Sequence, residues 1–125
     1  MVKILVAEDE RDIRDLIYFL LNHAGLEVEL ASNGVEAVEK ASAVIPDLIL
    51  MDVRMPRMTG YQACEALKEN AATRDIPVVF LSAKGQESEI QEGLEVGAIA
   101  YILKPFATDE LTAQVQRILR DIGKA

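Results

Sequence analysis

From one end to the other the chain alternates between short apolar runs of strand length and amphipathic segments of helical spacing. "VKILVA" leads into "RDIRDLIYFLLNHAG", where Ile13, Leu16, Ile17, Leu20 and Ala24 recur at helical intervals and Gly25 marks the stop. "EVELAS" precedes "NGVEAVEKASAV", in which Asn33 stands three residues before Glu36 in a capping-box pattern. "DLILMD" precedes "TGYQACEALKENA", where Thr59 and Gln62 repeat that pattern. "PVVFLS" with "ESEIQEGLEVG", and "AYILK" with "TDELTAQVQRILRDIG", complete five pairs. Parallel strands need long crossovers, and the crossovers are right-handed. Five strand-helix pairs therefore predict an α/β fold, a parallel sheet with helices on both faces. "LILM" and "VVFL" are apolar without a break, as strands covered on both faces should be.

The pattern fills the 125 residues with short connections and no Pro/Gly/Ser-rich linker, so one domain spanning residues 1–125 is expected, with no output domain after "RILRDIGKA". Thirteen basic residues against 21 acidic ones give a net charge of −8. That balance disfavours direct binding of nucleic acid, whose phosphates are held largely by Lys and Arg. No apolar run approaches the ~20 residues of a membrane span, and the first residues do not read as a signal peptide. No membrane association and a cytoplasmic location are expected. The single cysteine, Cys64, excludes an internal disulfide, and its position beside Tyr61 and Leu67 on the apolar side of its helix reads as a buried small hydrophobe.

In such sheets ligands sit at the carboxyl ends of the strands. Glu8 and Asp9 follow the first strand in "KILVAEDER", Asp52 ends the third, Ser82 the fourth and Lys104 the fifth. Each has an ordinary explanation on its own. Asp9 could cap the first helix with Asp12 at its third position, and acidic residues there suit the helix dipole. Asp52 could begin a turn, Ser82 could cap the fourth helix, and Lys104 could be a solvated charge. Together these explanations fail, because three converging carboxylates repel one another and demand a counter-charge. A hard divalent cation on the carboxylates, with the Lys104 ammonium, would supply it.

These residues carry a resemblance to the receiver domains of two-component response regulators over essentially the whole chain. The acidic pair Glu8-Asp9, the strand "PDLILMD" ending in Asp52, the following "MP" and Gly60, Ser82 with Ala83, and the run Tyr101, Lys104, Pro105 all match in order. The resemblance implies a flavodoxin-like sheet of strand order 2-1-3-4-5, flanked by five helices. It makes Asp52 the phosphoacceptor, taking a phosphoryl group from a sensor histidine kinase or histidine phosphotransfer protein. Mg²⁺, with Mn²⁺ able to replace it, would be held by Glu8, Asp9, Asp52 and the backbone carbonyl of Arg54. Glu8 stands where aspartate is commoner, and its extra methylene suits a water-mediated contact. Lys104 would pair with the phosphoryl group. Ser82 and Tyr101 would form the switch, Ser82 moving toward the phosphoryl oxygens and Tyr101 turning inward. Arg54 and Lys84 stand where the family tunes hydrolysis, and Pro105 is expected after a cis peptide bond.

On the same resemblance a downstream effector would dock on the face of the fourth helix, fifth strand and fifth helix. The run "GAIAY" replaces the "GADDY" common in receivers that dimerise through that face, so a monomer is expected. Catalysis would be confined to the domain's own phosphorylation and dephosphorylation. His23, at the end of the first helix, is assigned no chemistry. A dinucleotide or P-loop site is disfavoured, because "AEDER" is no glycine-rich turn. A receiver serving purely as a binding module is disfavoured by the intact acidic set, Ser82 and Lys104. The alternative is a small Mg-dependent phosphatase with Asp52 as nucleophile.

Overall fold

A computed structural model describes residues 1–83 and 87–124. Its elements run β1 (Lys3–Ala7), α1 (Arg11–His23), β2 (Glu27–Ala31), α2 (Gly34–Val44), β3 (Leu48–Asp52), α3 (Gly60–Glu69), β4 (Val78–Ala83), α4 (Glu87–Glu95), β5 (Ala100–Lys104) and α5 (Thr108–Asp121). The strands form one parallel sheet in the order β2-β1-β3-β4-β5. The order expected from the resemblance is the one observed.

Side chains alternate across a strand, so the interior strands feed two cores. Leu5, Ile49, Met51, Val78 and Phe80 face one core, with Ala37 and Ala41 of α2 and Ala63, Cys64 and Leu67 of α3. Ile4, Val6, Leu48, Leu50, Val79 and Leu81 face the other, with Ile17 and Leu21 of α1 and Leu111, Val115, Ile118 and Leu119 of α5. Every residue of β3 is buried, which accounts for the unbroken apolar run in its sequence. Burial raises the pKa of the Cys64 thiol, and its sulfur lies beside the Val96 carbonyl, in keeping with a packing role.

The expected caps are partly realised. Thr59 and Gln62 form a full capping box on α3. Asn33 accepts from the Glu36 N–H at 2.8 Å, but the Glu36 carboxylate turns to the Ser32 N–H at 3.0 Å, so the second box is not reciprocal. Asp9 does not cap α1: the N-cap is Glu10, without a side-chain bond. The reason lies one residue earlier, where the Glu8 carboxylate accepts from the Glu10 N–H at 3.3 Å. On α1 the buried positions are Ile17 and Leu21, while Leu16 is exposed. The stripe is rotated from the expected one because α1 lies over both the sheet and α5.

Candidate phosphoryl-acceptor site

Parallel strands all end at the same edge, and β1, β3 and β5 deliver Glu8, Asp52 and Lys104 there. Glu8 is fully buried. It is fixed by its own N–H to the Ala31 carbonyl at 3.0 Å and by Arg14, which donates to the Glu8 backbone carbonyl at 2.9 Å. Asp52 is buried as well, whereas Asp9 is exposed to solvent. Ligand oxygens of Glu8, Asp9 and Asp52 all lie within 4.8 Å of one another. Lys104 Nζ lies 3.2 Å from Asp52 Oδ2 and 3.3 Å from Glu8 Oε1, closing the ring of charge.

Gly60 shapes the floor of the site. A Cβ there would stand 2.3 Å from the Asp52 carbonyl oxygen, so only glycine lets the first turn of α3 come this close to the acceptor strand. The Gly60 N–H donates to the Val53 carbonyl at 2.9 Å and completes the loop. The peptide bond between Lys104 and Pro105 is cis, as the resemblance implies.

The electrostatics are those of a site short of positive charge. Burial, then the hydrogen bond and charge of Asp52, push the Glu8 carboxyl up to about 8, with Lys104 offsetting only part of the rise. Burial opposes the charge on Lys104, yet Asp52 and Glu8 outweigh it and its pKa is raised. A lone ammonium thus does not neutralise the carboxylates, and the donors are all hard oxygens. This set fits a divalent cation such as Mg²⁺.

Ser82, near the end of β4, is buried, and its hydroxyl is the one fully buried side-chain polar atom without a hydrogen-bond partner among the described residues. It stands within β4 (Val78–Ala83), and α4 is described over Glu87–Glu95. Such an orphan is destabilising unless an acceptor arrives. Tyr101 is 41% exposed on the edge strand. Beneath α4, Phe80, Ser82, Gly93 and Tyr101 border a narrow space.

A cavity of about 240 Å³ opens over Asp52, bordered also by Asp9, Glu10, Arg54, Glu89 and Lys104. The Arg54 N–H donates to Asp52 Oδ1 at 3.4 Å, so its backbone belongs to the site. Its guanidinium turns away, to Glu89 on α4. Lys84 lies outside the described residues. Sequence reasoning missed Glu89. The available signal was an acidic residue one helical turn before Gly93, on the face of α4 turned to the sheet.

A five-stranded parallel sheet of this order, with a carboxylate cluster and a lysine at its carboxyl edge, defines a doubly wound α/β architecture with its ligand site at the strand ends. The response regulator receiver domain family matches residues 4–116, and the chain belongs to it. Among curated relatives, the phosphate regulon transcriptional regulatory protein PhoB of Klebsiella pneumoniae is 43% identical over 97% of this chain and 53% of its own length. Response regulator MprA of Mycobacterium ulcerans is 40% identical over 95% of this chain and 50% of its own. The chain thus spans about half the length of these relatives. The chemotaxis protein CheY4 of Vibrio cholerae matches with a TM-score of 0.89 at 36% identity, covering 95% of this chain and 99% of that one.

The chain is therefore a response-regulator receiver of two-component signalling. Receiver domains are generally Mg²⁺-binding signal transducers, and the Glu8, Asp9 and Asp52 cluster could hold such an ion. Among the described residues, no helix is long and apolar enough to cross a membrane.

Proposed function

We propose that Asp52 accepts a phosphoryl group from a sensor histidine kinase or a histidine phosphotransfer protein. The supporting observation is the clustering of the Glu8, Asp9 and Asp52 carboxylates within 4.8 Å, with Lys104 against two of them. An Asp52 carboxylate oxygen attacks phosphorus, the bond from phosphorus to the donor's imidazole nitrogen breaks, and that nitrogen keeps the electron pair. The product is an aspartyl phosphate. In-line transfer asks the protein mainly for position and charge. Lys104 holds a phosphoryl oxygen by a charge-assisted bond.

Glu8, Asp9, Asp52 and the Arg54 carbonyl would hold Mg²⁺, or Mn²⁺ in its place, which when bound neutralises charge on the phosphoryl oxygens. Ser82 turns its buried hydroxyl to another of those oxygens, and Tyr101 moves into the space beneath α4. Phosphorylation shifts a pre-existing equilibrium toward this state. The exposed Leu94, Ile99 and Tyr101 then present an altered α4, β5 and α5 face to an effector. We read the domain as a cytoplasmic monomer. The relatives named as transcriptional regulators suggest that output, while the −8 charge argues that these residues do not themselves contact nucleic acid.

The test is incubation with acetyl phosphate and Mg²⁺, read by intact mass. Wild type should gain one labile phosphoryl group, and Asp52→Asn should gain none. An undiminished adduct on Asp52→Asn, or none on wild type, overturns the reading. Multiple turnover on unrelated phosphomonoesters would overturn it in favour of a phosphatase.

A further inference from the structure

The Arg54–Glu89 pair is asymmetric. Arg54 Nε and Nη2 converge on Glu89 Oε2 at 2.8 and 2.7 Å, yet the Arg54 side chain is 76% exposed and that of Glu89 only 9%. Glu89 is also the residue by which α4 is tied to α3: the Tyr61 hydroxyl donates to its backbone carbonyl at 2.9 Å. Burial and the nearby Glu89 and Glu92 charges push the Tyr61 phenol up to about 12, so it stays a donor. Apart from Glu89, the only buried residue of α4 is Gly93. Within Glu87–Glu95 the buried contacts of α4 are thus a glycine seated on Phe80 and a carboxylate paired with a neighbouring loop.

Both partners of that pair border the cavity over Asp52. A phosphoryl group there brings about two negative charges and three acceptor oxygens. The planar guanidinium fork is well matched to phosphate oxygens, so carboxylate and phosphate compete for one cation. We infer that Glu89 is a positioning residue for Arg54: it holds the guanidinium back from Asp52 before phosphorylation and yields it afterwards, which unlatches α4. Once Arg54 leaves, Glu89 is a buried carboxylate without its counter-charge, and α4 relieves this by moving toward water. Phosphoryl chemistry and helix position are thereby linked through one side chain.

This inference rests on Asp52 being the acceptor, and the experiment separates the two. Amide hydrogen exchange of α4 is followed in the intact chain before and after acetyl phosphate treatment, with adduct formation checked by mass. In unphosphorylated protein, Arg54→Ala and Glu89→Gln should each speed α4 exchange by about tenfold toward the level of phosphorylated wild type, as loss of a local tether does. The exchanged pair Arg54→Glu with Glu89→Arg should restore protection. After removal of the donor, Glu89→Gln should change the phosphoryl half-life several-fold, and this change should vanish in an Arg54→Ala background. An equal change with and without Arg54, or none in either, overturns the inference, as does α4 exchange indifferent to both substitutions. No adduct at all would instead fault the assignment of Asp52.

Discussion

Helices α4 and α5 flank the same edge strand yet are attached in opposite ways. Four residues of α5, Leu111, Val115, Ile118 and Leu119, are buried against β1, β3, β4 and β5. In α4 only Glu89 and Gly93 are buried, while Leu94 is exposed. Each helix also has an ion pair near it, but their settings differ. Just beyond α5, Lys124 meets Asp47 at 3.4 Å with both side chains substantially exposed. The pair on α4 uses a carboxylate that is almost wholly enclosed. An apolar stripe makes a fixed wall, whereas a glycine contact and a polar tether make a part that can move at small cost. Elements that respond to a signal are drawn from the weakly held end of a structure.

The largest break in this contrast should come from α5. Leu111→Ala removes a fully buried side chain and should cost about 3 kcal/mol, read as a lowered urea midpoint at unchanged slope. If the loss is below about 1 kcal/mol, α5 is no more firmly anchored than α4.

A smaller and more local effect is expected at Gly93. A Cβ there would meet Phe80 Cδ2 at 2.7 Å, and Phe80 has little freedom because Tyr61 packs edge-on against it with ring centroids 5.5 Å apart. Overpacking costs about 1–3 kcal/mol, offset by about 1 kcal/mol from the better helix propensity of alanine. Gly93→Ala should therefore speed amide exchange in α4 while barely shifting the global midpoint. A global loss as large as that of Leu111→Ala would show that α4 unfolds only with the whole domain.

The smallest effect belongs to the exposed pair. The Lys3 N–H bond, at 2.9 Å, is the main influence lowering the Asp47 pKa from 3.8, and Lys124 adds to it. A depressed folded-state pKa contributes stability that is present above the unfolded value and lost as pH falls through the folded one. Asp47→Asn should flatten the acid limb of the stability curve below pH 3.8. It should change stability near neutrality by less than about 1 kcal/mol, given solvent screening. A loss comparable to that from breaking the α4 tether would erase the contrast between exposed and enclosed pairs.

Much of the acceptor site is legible in the sequence because the parallel fold puts strand ends on one edge. Once β1, β3 and β5 are recognised as parallel strands, Glu8, Asp52 and Lys104 must share one edge, and the strand order implied by the family resemblance then sets how close they stand. The degree of burial is less legible. "AEDER" reads as three similar acids, yet Glu8 is enclosed, Asp9 is exposed and Glu10 takes the N-cap. Which acid turns inward depends on the pleat of β1 and on Arg14 reaching back to the Glu8 carbonyl. The stripe on α1 is similarly half-read: spacing finds Ile17, while Leu21 is buried and Leu16 is not, because the helix must satisfy α5 as well as the sheet.

What the sequence determined by itself is the alternation of strands and helices, the parallel sheet and which chemical group stands at the carboxyl end of each strand. These follow from periodicities of 2 and 3.6 residues and from chain geometry, which are local. What only the tertiary structure decided is the pairing of Arg54 with Glu89 across 35 residues, the burial of the Ser82 hydroxyl without a partner among the described residues and the close seating of Gly93 on Phe80. No local pattern encodes these, since each depends on where two separately formed elements come to rest.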